Sequence, residues 1–233
     1  MTEQFINDLK SSPYYERILN GHDVIMVTLT GSRLIDIVDE RSDFDLLVVT
    51  NDQSREEYVT EFLTYYSKKV HWHYVPIQKL IANEDGNLLT CNGEVELVGL
   101  CEQKIVYANT KYSNIIKYLI DNKNNVALVG AYALVRFHNE LISRILNANE
   151  IKQEDYCKYI YHLCFASYVV LSETPDKTFL ANIKRIRWRK ITDEYKNLAV
   201  DRIRLLRNYV TEHPVDLKSI ICEFNESINT MLN

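Results

Sequence analysis

The sequence predicts an α+β fold, with a small mixed β-sheet head domain followed by an all-helical C-terminal domain. Short runs rich in β-branched residues alternate with helical patterns in the first part of the chain, and from about Asn109 the pattern is helical almost to the end. At 233 residues the chain is long enough to bury one or two cores. We therefore predict a head domain over residues 1–110 and a helical domain over residues 111–233.

Four short stretches of the head predict β-strands, because they are rich in β-branched and aromatic residues and are bounded by polar turn residues. They are residues 23–30 (DVIMVTLT), 44–49 (FDLLVV), 70–77 (VHWHYVPI) and 104–109 (KIVYAN). A further stretch, residues 94–101 (EVELVGLC), fits a helix or a strand by its periodicity.

Helices are predicted in the head and throughout the tail. Residues 3–20 predict one helix or two short ones divided at Pro13, since proline lacks the N–H that a helix interior needs. Residues 54–69 have apolar residues at helical spacing and predict a helix between two strands. Six further helices are predicted in the tail, with breaks where turn-forming residues cluster. They span residues 110–121, 124–147, 153–172, 177–187, 192–212 and 215–231.

Composition and charge indicate a cytoplasmic globular protein. Hydrophobic residues make up 46% and charged residues 25%, and the chain has few glycines (6) and prolines (4), so long disordered linkers are not expected. The formal net charge of −5 argues against a generally basic nucleic-acid-binding surface but permits a local basic groove. The 5 cysteines form no CxxC pair and are odd in number, which fits a reducing compartment. We expect neither a signal peptide nor a membrane span, since no apolar run is long enough.

The segment TLTGSRLIDIVDERSDFDLLVVT contains an unusual placement of charge. Asp43 and Asp45 lie two residues apart at the start of a predicted strand, so both side chains project from one face and repel each other. A divalent cation between them would remove the repulsion, and Mg²⁺ takes carboxylate oxygens while keeping positions for substrate phosphates. Gly31 and Ser32 would form the opposite wall, where backbone N–H groups and a hydroxyl can bind phosphate. Arg33 would add a phosphate-pairing cation.

Asp-x-Asp and Gly-Ser are each common at strand edges and turns, so their order and spacing carry the functional interpretation. A strand ends in Gly31 and Ser32, ten residues follow, and the D-F-D triplet leads into an apolar strand. This pattern resembles the polymerase-beta-type nucleotidyltransferase superfamily over about residues 23–75. The resemblance implies that Asp43 and Asp45 are catalytic ligands of Mg²⁺ or Mn²⁺ and that the Gly-Ser turn contacts the phosphates of an NTP substrate. It also implies NMP transfer to a hydroxyl acceptor: an RNA end, a protein side chain or a small molecule such as an aminoglycoside.

The sequence departs from the family pattern at a third carboxylate, which the family usually carries on a later strand. The matching strand, residues 70–77, has His71 and His73 on one face and no acid. By position His71 is the predicted occupant, either as a ligand suited to Mn²⁺ or as the base that takes the acceptor's proton. Alternating polar positions on a half-exposed strand also explain the two histidines. Glu94 or Glu96 supplies the acid instead if that segment folds back beside the two aspartates, and both also fit a solvated face.

A basic segment in the tail, residues 184–190 (KRIRWRK), places five cations and Trp188 within seven residues. Lys184 and Arg187 are the predicted contacts with a triphosphate or an RNA backbone, with Trp188 stacking on a base. The alternative is a solvated helix end, where cations favour the carbonyl pole.

Two other functions remain compatible with the sequence. Without a third carboxylate, the chain would be a catalytically degenerate nucleotidyltransferase-like protein that binds nucleotide or nucleic acid without turnover. The other is the antitoxin-like role that small members of the superfamily play beside a helical toxin, although the helical tail makes a separate helical partner less necessary. The acceptor, the base of the NTP and the oligomeric state are not determined by the sequence.

Overall fold

The structure is a computed structural model, and it describes most of the chain. The described residues are 2–33, 37, 42–52, 57–63, 68–80, 104–147, 156–185 and 190–233. They form two compact units: the first takes its residues from 1–89, 102–123 and 218–233, and the second from 124–217. The first unit includes the tail helices Ser113–Asp121 and Leu217–Leu232, and the domain boundary at residue 110 stays a prediction.

Five strands form a mixed sheet within the described part of the first unit. They are β1 (Val24–Thr30), β2 (Phe44–Thr50), β3 (Glu57–Leu63), β4 (Lys68–Pro76) and β5 (Lys104–Ala108). Their order across the sheet is β3-β4-β2-β1-β5. Strands β2 and β4 run parallel, and the other neighbouring pairs are antiparallel. The α+β fold class, strands β1, β2, β4 and β5, and the division of the first helical stretch at Pro13 are confirmed.

The central strands are buried along nearly their whole length, as expected where a sheet is covered on both faces. Every residue of β1 is buried, and burial of β2 is interrupted only at Asp45. Helices α1 (Thr2–Lys10) and α2 (Pro13–Leu19) pack on one face, where the Phe5 and Phe44 rings stack with centroids 3.5 Å apart. Each large apolar side chain buried there contributes about 1.5–3 kcal/mol, which anchors the helices to the sheet.

One element of the head contradicts the sequence prediction. Strand β3 occupies residues 57–63, so the predicted helix over residues 54–69 is wrong. The segment includes Tyr58, Val59 and Thr60, residue types that favour strands. Strand β3 also pairs antiparallel with β4, which satisfies backbone groups that β4 would otherwise expose at its edge. Pairing with a distant strand therefore outweighs the local helical spacing.

Two tail helices belong to the first unit. Helix α3 (Ser113–Asp121) follows a 3₁₀ turn, and the C-terminal helix (Leu217–Leu232) ends the chain. The C-terminal helix buries Phe224, whose ring centroid lies 5.6 Å from that of Tyr118 on α3.

The second unit is helical. Its helices are α4 (Lys123–Phe137), α5 (Asn139–Asn147), α6 (Tyr156–Val170), α7 (Lys177–Arg185) and α8 (Asp193–Glu212). The C-terminal helix is therefore α9. The predicted helix over residues 124–147 is divided at His138, whose ring is buried beside Phe137 and Tyr159, and this burial lowers the pKa of His138. The other tail helices match their predicted ranges closely, and no helix in the described ranges is long and apolar enough to cross a membrane.

Candidate functional site

The end of β1 and the start of β2 meet at a tight turn. Thr30 pairs with Asp45 across the two strands, and the chain then turns through a 3₁₀ segment, Gly31–Arg33. Gly31 has φ +72°, in the left-handed region that favours glycine. A Cβ at this position would lie 2.5 Å from Asp45 Oδ2. The structure therefore brings the Gly-Ser turn into contact with one of the two aspartates, a contact that only glycine permits.

A histidine on the neighbouring parallel strand lies beside both aspartates. Asp45 on β2 and His71 on β4 are register partners. His71 Nε2 is 3.7 Å from Asp43 Oδ2, and His71 Nδ1 is 4.0 Å from Asp45 Oδ1. The imidazole thus faces both carboxylates, from the strand position at which the family resemblance implies a third acid.

These three side chains are accessible, whereas the residues next to them are not. The side chains of Asp43, Asp45 and His71 are 33%, 38% and 20% exposed. Leu47 and His73, the next residues along the same face, are buried. The interpretation of the two histidines as a half-exposed polar face therefore holds for His71 alone. A ligand from solvent can reach the carboxylates at this one end of the strands.

Arg33 lies inside the protein. Its residue surface is only 5% exposed, and its guanidinium carbon is 3.7 Å from the centroid of the Phe44 ring. Arg33 Nε donates to the carbonyl oxygen of Asp43 at 2.9 Å, and Nη2 donates to that of Ser42 at 2.6 Å. Sequence reasoning missed this contact with the backbone that carries Asp43, because a side-chain-to-backbone bond of this kind leaves no residue pattern in the sequence.

The donor set fits a hard divalent cation that shares its coordination shell with phosphate. Among the described residues, no group of three or more His, Cys, Asp and Glu side chains is arranged to hold a metal ion. Mg²⁺, however, is commonly bound by one or two carboxylates with substrate phosphates completing the shell. Asp43 and Asp45 are partly exposed, and Asp45 lies against the Gly31 backbone, so the two carboxylates match that requirement.

The remaining predicted site residues lie elsewhere or outside the described ranges. The backbone of Ser32 forms the middle of the turn. Lys184 is on α7 in the second unit, and its ammonium nitrogen is 6.0 Å from the centroid of the Tyr161 ring. The roles assigned to both stay predictions. Outside the described residues lie Glu94, Glu96, Arg187 and Trp188.

Comparison with known proteins identifies the domain that holds this cluster. Residues 15–90 match the family model of the nucleotidyltransferase domain, and this range contains the turn, both aspartates and His71. The chain carries a nucleotidyltransferase domain of the polymerase-beta-like superfamily. The resemblance implied by the Gly-Ser and Asp-x-Asp spacing is thereby confirmed at the level of the family.

Two solved structures align with this chain at low identity. A nucleotidyltransferase-like protein from Exiguobacterium sibiricum is 16% identical, with 87% of this chain and 75% of that chain covered and a TM-score of 0.33. The spectinomycin adenyltransferase AAD(9) from Enterococcus faecialis, with ATP and spectinomycin, is 15% identical, with 99% of each chain covered and a TM-score of 0.44. No curated protein matches the chain. At these scores the alignments identify no substrate for this chain.

Proposed function

We propose that the chain transfers NMP from a metal-bound NTP to a hydroxyl acceptor. One observation carries the proposal: Asp45 lies against the Gly31 turn, while Asp43 and Asp45 both face His71 at an accessible end of the sheet. The match of residues 15–90 to the nucleotidyltransferase domain supports it. The acceptor oxygen would form the new bond to the α-phosphorus, and pyrophosphate would leave.

In this proposal the turn and the two aspartates act together on the triphosphate. Asp43 and Asp45 hold Mg²⁺ or Mn²⁺, and the backbone of Gly31 and Ser32 contacts phosphate oxygens. The Asp45 carboxylate already approaches the Gly31 backbone closely because Gly31 has no side chain. In the proposal, the exposed N–H groups of the turn would contact phosphate in the same way. When bound, the divalent cation supplies neutralisation of the phosphate charge during in-line displacement.

His71 takes one of two roles in the same proposal. As a base it would accept the proton of the acceptor hydroxyl, and as a ligand it would favour Mn²⁺ over Mg²⁺. Its position beside both carboxylates supports either role. In the tail, Lys184 and Arg187 would contact the triphosphate or an RNA backbone, as the basic segment predicts. The acceptor would be an RNA end, a protein side chain or a small molecule, and the reaction would take place in the cytoplasm.

The double variant Asp43→Asn with Asp45→Asn tests the proposal. Asparagine keeps the shape of each side chain but removes the charge that a hard cation requires. In calorimetric titrations with each of the four Mg·NTPs, the parent should bind at least one, and the double variant should bind none. Asp23→Asn, at the opposite end of β1, is the matched control and should bind as the parent does. Binding by the double variant with the parent's affinity would rule the proposal out.

A second candidate is a catalytically degenerate protein that binds nucleotide or nucleic acid. No third acid lies beside Asp43 and Asp45 among the described residues, and this favours the second candidate. No three His, Cys, Asp or Glu side chains in the described ranges are arranged to hold a metal ion. The two candidates differ in turnover. The assay incubates an α-labelled NTP and Mn²⁺ with an RNA, protein or aminoglycoside acceptor. Transfer of the label by the parent, and its loss in the Asp43→Asn, Asp45→Asn variant, would exclude the degenerate protein. Nucleotide binding with no transfer to any of these acceptors would favour it.

A further inference from the structure

We infer that Arg33 is a positioning residue: it fixes the backbone of Asp43, and so the metal-binding carboxylate, before nucleotide arrives. The inference rests on the proposed function, because it takes Asp43 to be a cation ligand. It replaces the predicted role of Arg33 as a partner of substrate phosphate. Three features of the described residues support it: the partners of the guanidinium, its burial, and the position of Asp43 just outside the sheet.

The guanidinium holds two consecutive residues. Arg33 donates to the carbonyl oxygens of Ser42 and Asp43, at 2.6 and 2.9 Å. Both residues precede β2, whose pairing with β4 begins at Phe44, so they lie beyond the strand-to-strand hydrogen bonds. A planar fork of donors can bridge two neighbouring carbonyls, which a single ammonium does less well. Arg33 lies at the start of the connection between β1 and β2, and Asp43 lies at its end. Arg33 therefore restrains Asp43 where the hydrogen bonds of the sheet do not.

The burial of Arg33 separates this role from direct phosphate binding. The residue is 5% exposed and stacks on Phe44, whose ring also stacks on the buried Phe5 ring. A guanidinium is retained at such a depth when its donors are satisfied by fixed acceptors. The carboxylates of Asp43 and Asp45, by contrast, reach solvent. The charge of Arg33 thus lies beneath the site, and its hydrogen bonds reach the site through the Asp43 backbone.

The two roles predict opposite effects on metal binding without nucleotide. Partners that orient a metal ligand typically contribute 10–100-fold to metal affinity. If Arg33 positions Asp43, its removal should therefore weaken the binding of the metal alone. If Arg33 only attracts phosphate, its removal takes a positive charge away from two carboxylates, and the affinity for a cation should stay the same or rise.

A titration of the full chain with Mn²⁺ alone distinguishes the positioning role of Arg33 from phosphate binding. The paramagnetic resonance signal of the free ion reports how much Mn²⁺ is bound. Arg33→Met keeps an apolar stem over Phe44 but has no donors. We expect Arg33→Met to bind Mn²⁺ about 10–100-fold more weakly than the parent. Arg33→Lys keeps the charge and loses the fork, and it should bind more weakly by a smaller factor. It is the variant to use if Arg33→Met does not fold.

Arg202→Met is the matched control for loss of a buried arginine. Arg202 is a largely buried residue of the second unit, with its guanidinium carbon 3.8 Å from the Tyr168 ring centroid. It donates to Ser167 Oγ at 2.6 Å and pairs with Glu173. Urea unfolding should show comparable destabilisation in Arg202→Met and Arg33→Met, with Mn²⁺ affinity unchanged in Arg202→Met only.

The outcomes distinguish failure of the inference from failure of the proposed function. A folded Arg33 variant with the parent's Mn²⁺ affinity, or higher, overturns the positioning role while Asp43 and Asp45 remain the nucleotide site. A parent that binds no Mn²⁺ by itself also overturns it, because a carboxylate fixed in advance should hold the ion. The proposed function is judged separately, by the Mg·NTP titrations of the Asp43→Asn, Asp45→Asn variant.

Discussion

The two ends of strand β1 have similar residues and use them differently. Each end adjoins a glycine with positive φ, Gly21 at +80° before the strand and Gly31 at +72° after it. Each end also gathers aspartates. Asp23 immediately precedes β1. At the other end Asp45 pairs with Thr30, the last residue of β1, and Asp43 immediately precedes β2. The difference between the two groups lies in what neutralises the carboxylates.

At the start of β1, hydrogen-bond donors surround the carboxylate. Asp23 Oδ2 accepts from the Tyr112 hydroxyl, from Asn51 Nδ2 at 3.3 Å and from Lys111 Nζ at 3.3 Å. The Tyr112 hydrogen bond contributes most, and with the bonds from Asn51 and Lys111 it holds the pKa of Asp23 below its ordinary value, against the opposing effect of burial. This aspartate ties β1 and the residue after β2 to the turn before α3, so its role is structural.

At the end of β1, two carboxylates lie together and face an imidazole at distances beyond hydrogen bonding. Both are partly exposed, and Asp45 lies against the turn at Gly31, which has no side chain. The neighbours of an aspartate therefore distinguish a structural carboxylate from a candidate ligand. Donors fixed by the fold hold Asp23, and in the proposed function a cation from solution would bind Asp43 and Asp45.

Alanine at the two glycines should give the largest contrast between the ends. Both variants take on the cost of a positive φ, roughly 1–2 kcal/mol. Only Gly31→Ala also places a Cβ 2.5 Å from Asp45 Oδ2, while nothing lies within 4 Å of a Cβ at Gly21. The carboxylate would have to move by about 1 Å, and such a displacement can lower a rate by about 100-fold. We expect that loss of NMP transfer in Gly31→Ala alone.

The measurement pairs the transfer rate with urea unfolding for both variants. Gly21→Ala supplies the effect of backbone strain by itself, so the ratio of the two rates reports the contact with Asp45. Equal rates in the two variants would mean that the Asp45 carboxylate does not need the position seen here.

Removing the strongest partner of Asp23 should affect stability and leave the site unchanged. Tyr112→Phe deletes the hydroxyl that donates to Asp23, and a hydrogen bond to a partly exposed charged group is worth about 1 kcal/mol. We expect Tyr112→Phe to unfold at lower urea concentration at pH 7, with Mg·NTP affinity equal to that of the parent. A drop in nucleotide affinity without a change in stability would show that the two ends are coupled.

The pH dependence of the stability that Asp23 contributes is the smallest expected effect and the most specific. Because the folded pKa of Asp23 is lowered from an ordinary value of 3.8, its contribution to stability is complete above that value. It disappears as the pH falls through the lower folded pKa. The difference in unfolding free energy between the parent and Asp23→Asn should therefore be constant from about pH 7 to 5 and shrink below about pH 4. A difference that grows on acidification would contradict the assigned direction of the shift.

Sequence periodicity predicted most of the fold and failed where a distant partner decided the element. Strand β1 is a continuous run of β-branched and aliphatic residues, β2 is such a run after Asp45, and the tail helices are separated by clusters of turn formers. Residues 57–63 carry apolar side chains at a spacing that also suits a helix, and pairing with β4 makes them a strand. The break at His138 was likewise invisible to the periodicity, because apolar residues continue on both sides of it.

The candidate site divides in the same way. The Gly-Ser turn and the Asp-x-Asp triplet were identified from their order and spacing alone, since strand geometry puts alternate residues on one face. The burial of His73 and of Arg33 was not foreseen. Both depend on which surfaces are covered after the chain has folded, and a polar residue type alone indicates exposure.

The sequence by itself determined the order of the main elements and the identity of the paired aspartates, because turns, periodicity and charge repulsion act between residues close in the chain. Tertiary structure alone decided that β4 lies parallel to β2 with His71 level with Asp45, and that Arg33 reaches back to the Asp43 backbone. These contacts depend on strand register and on burial, which are set by the whole sheet and its core and leave no local signal.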